Sequence, residues 1–357
     1  KNFLLMLFSI FLTLVCLEII FQFKDSKNKK YKKLPAIKRY MIFEEGEVFQ
    51  PYDKFFKYHK NRKIRSEVFY KIDDKFIKEY SYDIITNNFG LVQKNDLDIS
   101  KKSILFLGDS FTEGQGAEAW VNNFNGSFRD FQIINGGILG TGPQQFKILE
   151  EHISKNYNVS KVFLFYLGGD FRRSPYNISE KTIICLKSHK NCVGDENFYG
   201  FPIKNVDPNQ FLRKLENYRN IQNKKNFNFK TFRRNIKKIF SEFYVIKIPI
   251  NFLKNNFYNS KNIKISKNFL SIEKLIEKYN SNIFFIQLLE RNAILYGKEY
   301  ESIYVEEFIK SKTKNHFTCN FDNNLSNFYT YDGHPNKNGY ESLYKCVSNI
   351  MELNISN

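Results

Sequence analysis

Acidic residues are scarce in this chain. Against 55 Lys and Arg stand 37 Asp and Glu, a formal net charge of +18 over 357 residues. The shortage is deepest from Lys204 to Lys267, where 16 basic residues meet 3 acidic ones. A patch of that sign suits anionic lipid headgroups or polymers. Lys, Asn, Ile and Phe are abundant throughout, however, so the first reading is compositional bias carried on a solvated surface. No zinc-finger, RNP-like or helix-turn-helix signature accompanies the charge, and nucleic acid is not an expected partner. Walker, dinucleotide-binding and HExxH patterns are missing as well, which removes the chemistry each would announce. The Gly-x-Ser-x-Gly elbow of the α/β-hydrolases is absent.

Long apolar runs are absent but for one. Asn2 to Phe23, "NFLLMLFSIFLTLVCLEIIFQF", carries a single charge, Glu18, and is long enough to span a bilayer as a helix. No small-x-small cleavage site closes it, so residues 1–23 read as a retained transmembrane signal anchor. The flank "KDSKNKKYKK" carries six Lys and one Asp, which by the positive-inside tendency would leave the rest in the cytoplasm. The few cysteines argue the other way. Beyond Cys16 there are four, Cys185, Cys192, Cys319 and Cys346. An even number with a close pair suits disulfides in an oxidising compartment. Cys185 and Cys192 are the candidate disulfide, and the extracytoplasmic (periplasmic) side is the expected location. A zinc site fits less well, because the spacing matches no standard Cys pair.

What is present supports a sizeable core: 42% of residues are hydrophobic and 17% aromatic. Residues 24–84 read as a basic linker and a lead-in of short alternating strands. The core signal begins at "SILFLG" (Ser103–Gly108), an apolar run of the kind buried on both faces of a parallel sheet. "FQIINGG" (Phe131–Gly137), "KVFLFYLGG" (Lys161–Gly169) and "NIFFIQLL" (Asn282–Leu289) repeat the pattern, with helical spacing between and after them. Residues 171–265 interrupt it as an insertion. Strands alternating with helices predict an α/β domain over 85–357, a three-layer α/β/α sandwich with a mainly parallel sheet. Its ligand crevice is expected beyond the glycine-ended carboxyl ends of the strands.

Ser110 stands at such an end, in "LGDSFTEG". A serine hydroxyl is a poor nucleophile without a base and an acid that orients the base. Of five histidines, His334 alone lies in a suitable turn, "YDGHPN", with Asp332 two residues before it; the others are expected at the surface. Together the two segments resemble the SGNH hydrolases, or GDSL esterase/lipase-like superfamily, over about residues 85–352. The resemblance implies a flavodoxin-like fold and an ester-acting enzyme needing neither cofactor nor metal. It makes Ser110 the nucleophile, His334 the base and Asp332 the acid. The Asp-x-His spacing is similar to that of membrane-anchored polysaccharide O-acetyltransferase relatives. "INGGILGTGPQQ" is similar to the second family block, which sets the N–H groups of Gly140 and Ser110 in the oxyanion hole. The third block normally offers an Asn side chain. This chain has "LGGDFRR", so either Gly169 replaces the Asn or Asp170 occupies its place, with Asn135 or Arg172 as substitute donors. An ester-bearing carbohydrate or lipid is the expected substrate, and the membrane a partner through the N-terminal helix. A weakened domain that binds or scaffolds envelope glycans is the alternative.

Overall fold

The computed structural model describes residues 38–43, 48–52, 55–72, 74–124, 126–128, 130–173, 207, 209–214, 216–217 and 267–355, with Thr13 and Glu18 as isolated positions. The anchor span, the Cys185–Cys192 pair and nearly all of the 171–265 insertion lie outside the described residues. Among the described residues no helix is long and apolar enough to cross a membrane. Two compact units divide the chain, one of 1–36 with 214–264 and one of 37–213 with 265–357. The elements below belong to the second.

Its centre is a five-stranded parallel sheet. The strands are β6 (Lys102–Gly108), β7 (Phe131–Gly137), β8 (Asn158–Tyr166), β9 (Ile283–Leu288) and β10 (His316–Cys319), in the order β10-β9-β8-β6-β7. Read from the other edge this is the 2-1-3-4-5 order of flavodoxin-like sheets, whose switch point lies between β6 and β8. The strands are continuously apolar because both faces are covered. Ile104 and Phe106 of β6 join Phe163, Phe165, Phe284 and Ile286 in one cluster with Leu343, Val347 and Met351 of the last helix, Lys337–Ile355. Alternation turns Leu105, Leu107 and Leu164, all fully buried, to the opposite face. The helices Pro143–Ser154 and Lys267–Tyr279 pack together and against β8 there. Three layers result, as expected.

Among the described residues a disulfide joins Cys319, at the end of β10, to Cys346 in the last helix. Sequence had counted both cysteines without pairing them. His316, expected at the surface, is half-buried at the start of β10. Its Nε2 lies 2.8 Å from the Tyr166 hydroxyl, and burial lowers its pKa to about 4.

Among the described residues, the segment read as linker and lead-in holds five strands, the last ending one residue beyond it: β1 (Lys38–Phe43), β2 (Phe49–Tyr52), β3 (Phe55–Tyr58), β4 (Lys63–Ile72) and β5 (Lys75–Ile85). β1, β4 and β5 form an antiparallel sheet in the order β1-β4-β5. Its inward residues, Tyr40, Ile42, Ile64, Val68, Tyr80, Tyr82 and Ile84, are buried, and the sheet lies in the same compact unit as the parallel core. Strands this far from the Gly-Asp-Ser turn in sequence bring side chains directly onto the site.

Candidate active site

β6 stops at Gly108, and the chain turns at Asp109 into a short helix, α1 (Ser110–Glu113). Asp109 caps it, its Oδ1 accepting the Phe111 N–H at 3.0 Å. The other carboxylate oxygen lies 3.0 Å from Arg173 Nη2. Ser110 is buried but reachable, at 6% exposure.

The "YDGHPN" turn crosses the sheet end to meet it. Ser110 Oγ lies 2.9 Å from His334 Nε2, between residues 224 apart in sequence. His334 Nδ1 faces Asp332 Oδ1 at 3.0 Å, off the line of a straight hydrogen bond. The imidazole leans on the Phe111 ring, 5.0 Å between centroids. The structure thus gathers all three sequence-derived residues in one hydroxyl–imidazole–carboxylate chain. Burial favours the neutral form of Asp332, yet His334, Arg39 and Tyr80 hold its carboxyl well below the usual range.

Asp332 has partners that the sequence did not disclose. The Tyr80 hydroxyl donates to Oδ2, Gln115 Nε2 donates to it at 3.5 Å, and Arg39 Nη2 stands 3.3 Å away. Glu79 accepts the backbone N–H groups of Tyr331 at 2.7 Å and Asp332 at 3.1 Å. Tyr80 lies on β5 among alternating residues, so its inward aim was readable; its partner was not. Arg39 carries no local signal at all.

The second-block loop, 138–141, is held against the end of β6. The Ile138 N–H and the Thr141 hydroxyl both donate to the Gly108 carbonyl at 3.2 Å. Glu113 of α1, fully buried, accepts the Leu139 N–H at 2.7 Å and the Tyr58 hydroxyl at 2.8 Å. Burial pushes its carboxyl up to about 8. Gly137 is required by closeness, since a Cβ there would sit 2.2 Å from the Glu113 nitrogen. Gly140 is required by conformation: its φ of +69° lies in the left-handed region. The N–H groups of Ile138, Leu139 and Thr141 are engaged by the Gly108 carbonyl, the Glu113 carboxylate and the Ile138 carbonyl; that of Gly140 is not among them.

At the third block, Asp170 turns away from the site. Its Oδ2 accepts the Leu167 N–H at 2.9 Å and its Oδ1 pairs with Arg173 Nη1 at 3.0 Å. Burial and the neighbouring Asp109 raise its pKa, with Arg173 opposing them. Neither position offers an amide: Asp170 is engaged as above, and Gly169 brings no side chain. The substitute donors are otherwise engaged. Asn135 donates to the Val92 carbonyl at 2.8 Å and accepts the Gly137 N–H at 3.0 Å. Arg172, largely exposed, pairs with Glu301 at 2.9 Å.

No family model matches the chain, and no curated protein does. Among solved structures it is similar to a member of the lipolytic G-D-S-L family from Veillonella parvula, at 14% identity over 70% of this chain and 97% of that one, TM-score 0.33. It is similar to a GDSL-like lipase from Bacteroides thetaiotaomicron, at 13% identity over 73% and 92%, TM-score 0.31. A third is a family 3 carbohydrate esterase from Clostridium thermocellum, at 11% identity over 71% and 100%, TM-score 0.35. Likenesses this distant name what the chain resembles; its chemistry is read from its own distances. By its Gly-Asp-Ser and Asp-Gly-His segments the chain resembles the SGNH (GDSL) hydrolases, and two of these solved structures carry the G-D-S-L description.

Proposed function

We propose that this chain is an SGNH-type serine esterase or O-acyltransferase. The observation that carries the reading is the contact of Ser110 Oγ with His334 Nε2 at 2.9 Å, backed by Asp332 at 3.0 Å from Nδ1. Ser110 Oγ attacks the carbonyl carbon of an ester as its proton passes to Nε2. The carbonyl electron pair moves onto oxygen, facing the N–H groups of Ser110 and Gly140. Asp332 stabilises the imidazolium formed. Collapse of the intermediate expels the alcohol, which takes the proton from Nε2 and leaves an acyl-serine. Water or a sugar hydroxyl then repeats the sequence in reverse. We assign the acyl group to an envelope polysaccharide or lipid, reached from a membrane-anchored domain on the extracytoplasmic side. The Cys319–Cys346 disulfide supports that side, because such bonds persist in oxidising compartments.

A second reading, a glycan-binding domain with residual or no turnover, is favoured by Gly169, which offers no third oxyanion donor. Removing one such donor typically costs about 10²–10³ in rate. Labelling by a fluorophosphonate separates the two without knowledge of the substrate. The wild-type chain is expected to label at Ser110 and Ser110→Ala not at all. Equal, background-level labelling of both would overturn the enzyme reading.

A further inference from the structure

The catalytic acid is held from outside the parallel core. We infer that Arg39 and Tyr80, on β1 and β5 of the antiparallel sheet, are positioning residues that fix Asp332 against His334 and moderate the charge it presents to the ring. The inference rests on the triad reading above.

Asp332 has two oxygens with different duties. Oδ1 faces His334. Oδ2 receives the Tyr80 hydroxyl, Gln115 Nε2 at 3.5 Å and Arg39 Nη2 at 3.3 Å. A carboxylate held only through its base could rotate about its side-chain bond and lose the imidazole; contacts on the far oxygen oppose that rotation. The donors are themselves braced. Gln115 Nε2 donates to the Tyr80 hydroxyl at 3.0 Å, and the Tyr80 ring stacks on Tyr329 at 4.1 Å. The Tyr329 hydroxyl in turn donates to the Gly116 carbonyl at 2.6 Å. Glu79, next to Tyr80, accepts two N–H groups of the turn that carries Asp332. One strand therefore grips both the backbone and the side chain of the catalytic acid.

Arg39 adds a charge. The groups facing Asp332 and His334 are Arg39 from β1, Tyr70 from β4, Glu79 and Tyr80 from β5, and Tyr329 from the turn itself. Beyond Ser110 stand Asp109 and its partner Arg173. The guanidinium of Arg39 shares the negative charge that Asp332 would otherwise direct wholly at the ring. Without Arg39 the protonated imidazole is favoured, and the base stays blocked to higher pH. Asp332 is only 3% exposed against 35% for the Arg39 side chain, so loss of the guanidinium is also expected to lower stability; the pH profile separates the electrostatic effect from that loss.

The rate of Ser110 labelling by a fluorophosphonate, followed across about pH 5 to 9 in the full chain, reads this directly. Thermal midpoints are measured beside it. Arg39→Met is expected to move the acid limb upward by roughly 0.5 to 1 in pH, with about tenfold slower labelling at neutral pH. Arg39→Lys keeps the charge and is expected to restore the limb. Tyr80→Phe is expected to slow labelling roughly tenfold. An Arg39→Met limb that coincides with wild type would sink the inference while leaving the triad standing. So would a loss that Arg39→Lys fails to repair. If Ser110→Ala labels as wild type does, the triad reading falls and takes the inference with it.

Discussion

Gly169 is the residue on which the strength of this site turns. Sequence left two alignments open at "LGGDFRR", and nothing local to the motif could choose between them. The fold shows what Asp170 does there: Arg173 bridges its carboxylate to that of Asp109 and donates to the Thr141 carbonyl. A Cβ at Gly169 would meet only Arg172 Nη2 at 3.6 Å and a Glu290 carboxylate oxygen at 3.9 Å, ordinary contact distances. A Cβ fits at this position without displacing its neighbours. Gly169→Asn is expected to raise esterase turnover on p-nitrophenyl acetate by up to about 10²-fold. Asp170→Asn, which weakens the Arg173 pair, is expected to bring no gain. Unchanged turnover in a folded Gly169→Asn protein would show that the missing donor belongs elsewhere.

Among elements, four of the five parallel strands were legible because each is a short apolar run stopped by glycine or a polar turn, and their loops converge by the rules of the sheet; β10, four residues reading HFTC at the sheet edge, carries no such run and was missed. The antiparallel strands were legible only as alternation. What they touch depends on pairing across some 250 residues, as from Tyr80 to Asp332, and no sequence window contains it. The tie between α1 and the 138–141 loop is likewise tertiary. Glu113 holds it through the Leu139 N–H and the Tyr58 hydroxyl. Glu113→Ala strands both donors in a buried space and is expected to cost about 2–4 kcal/mol. Glu113→Gln keeps an acceptor for Leu139 and is expected to be milder. The carboxyl titrates near 8 when folded and near 4.5 when unfolded, so the folded chain holds the extra proton between those values. Wild-type stability should therefore fall as pH rises from about 4.5 to about 8, and Glu113→Gln should lack that slope. Parallel melting curves against pH for the two proteins would contradict the assignment.

For the molecule as a whole, the proposed membrane anchor makes the side on which the domain lies a testable property. Charge flanking the N-terminal apolar run and cysteine usage point to opposite sides, and the Cys319–Cys346 bond adds weight to the oxidising one. Alkaline phosphatase fused after Asn357 is expected to be active in cells; an inactive fusion would place the catalytic domain in the cytoplasm. The same bond has a geometric consequence. It closes a ring over a sequence separation of 27, and both Asp332 and His334 lie inside that ring. Ring closure of this size stabilises by roughly 3–4 kcal/mol on a chain-entropy account. It also changes what a protease can do. A single cut anywhere between Asn320 and Lys345 opens the ring without releasing a fragment: the last helix stays covalently tied to β10, and the severed ends stay close enough for the base to find its serine again. For a single cut inside the ring, covalent separation of Ser110 from His334 needs the cut to fall before His334 and the bond to be reduced as well.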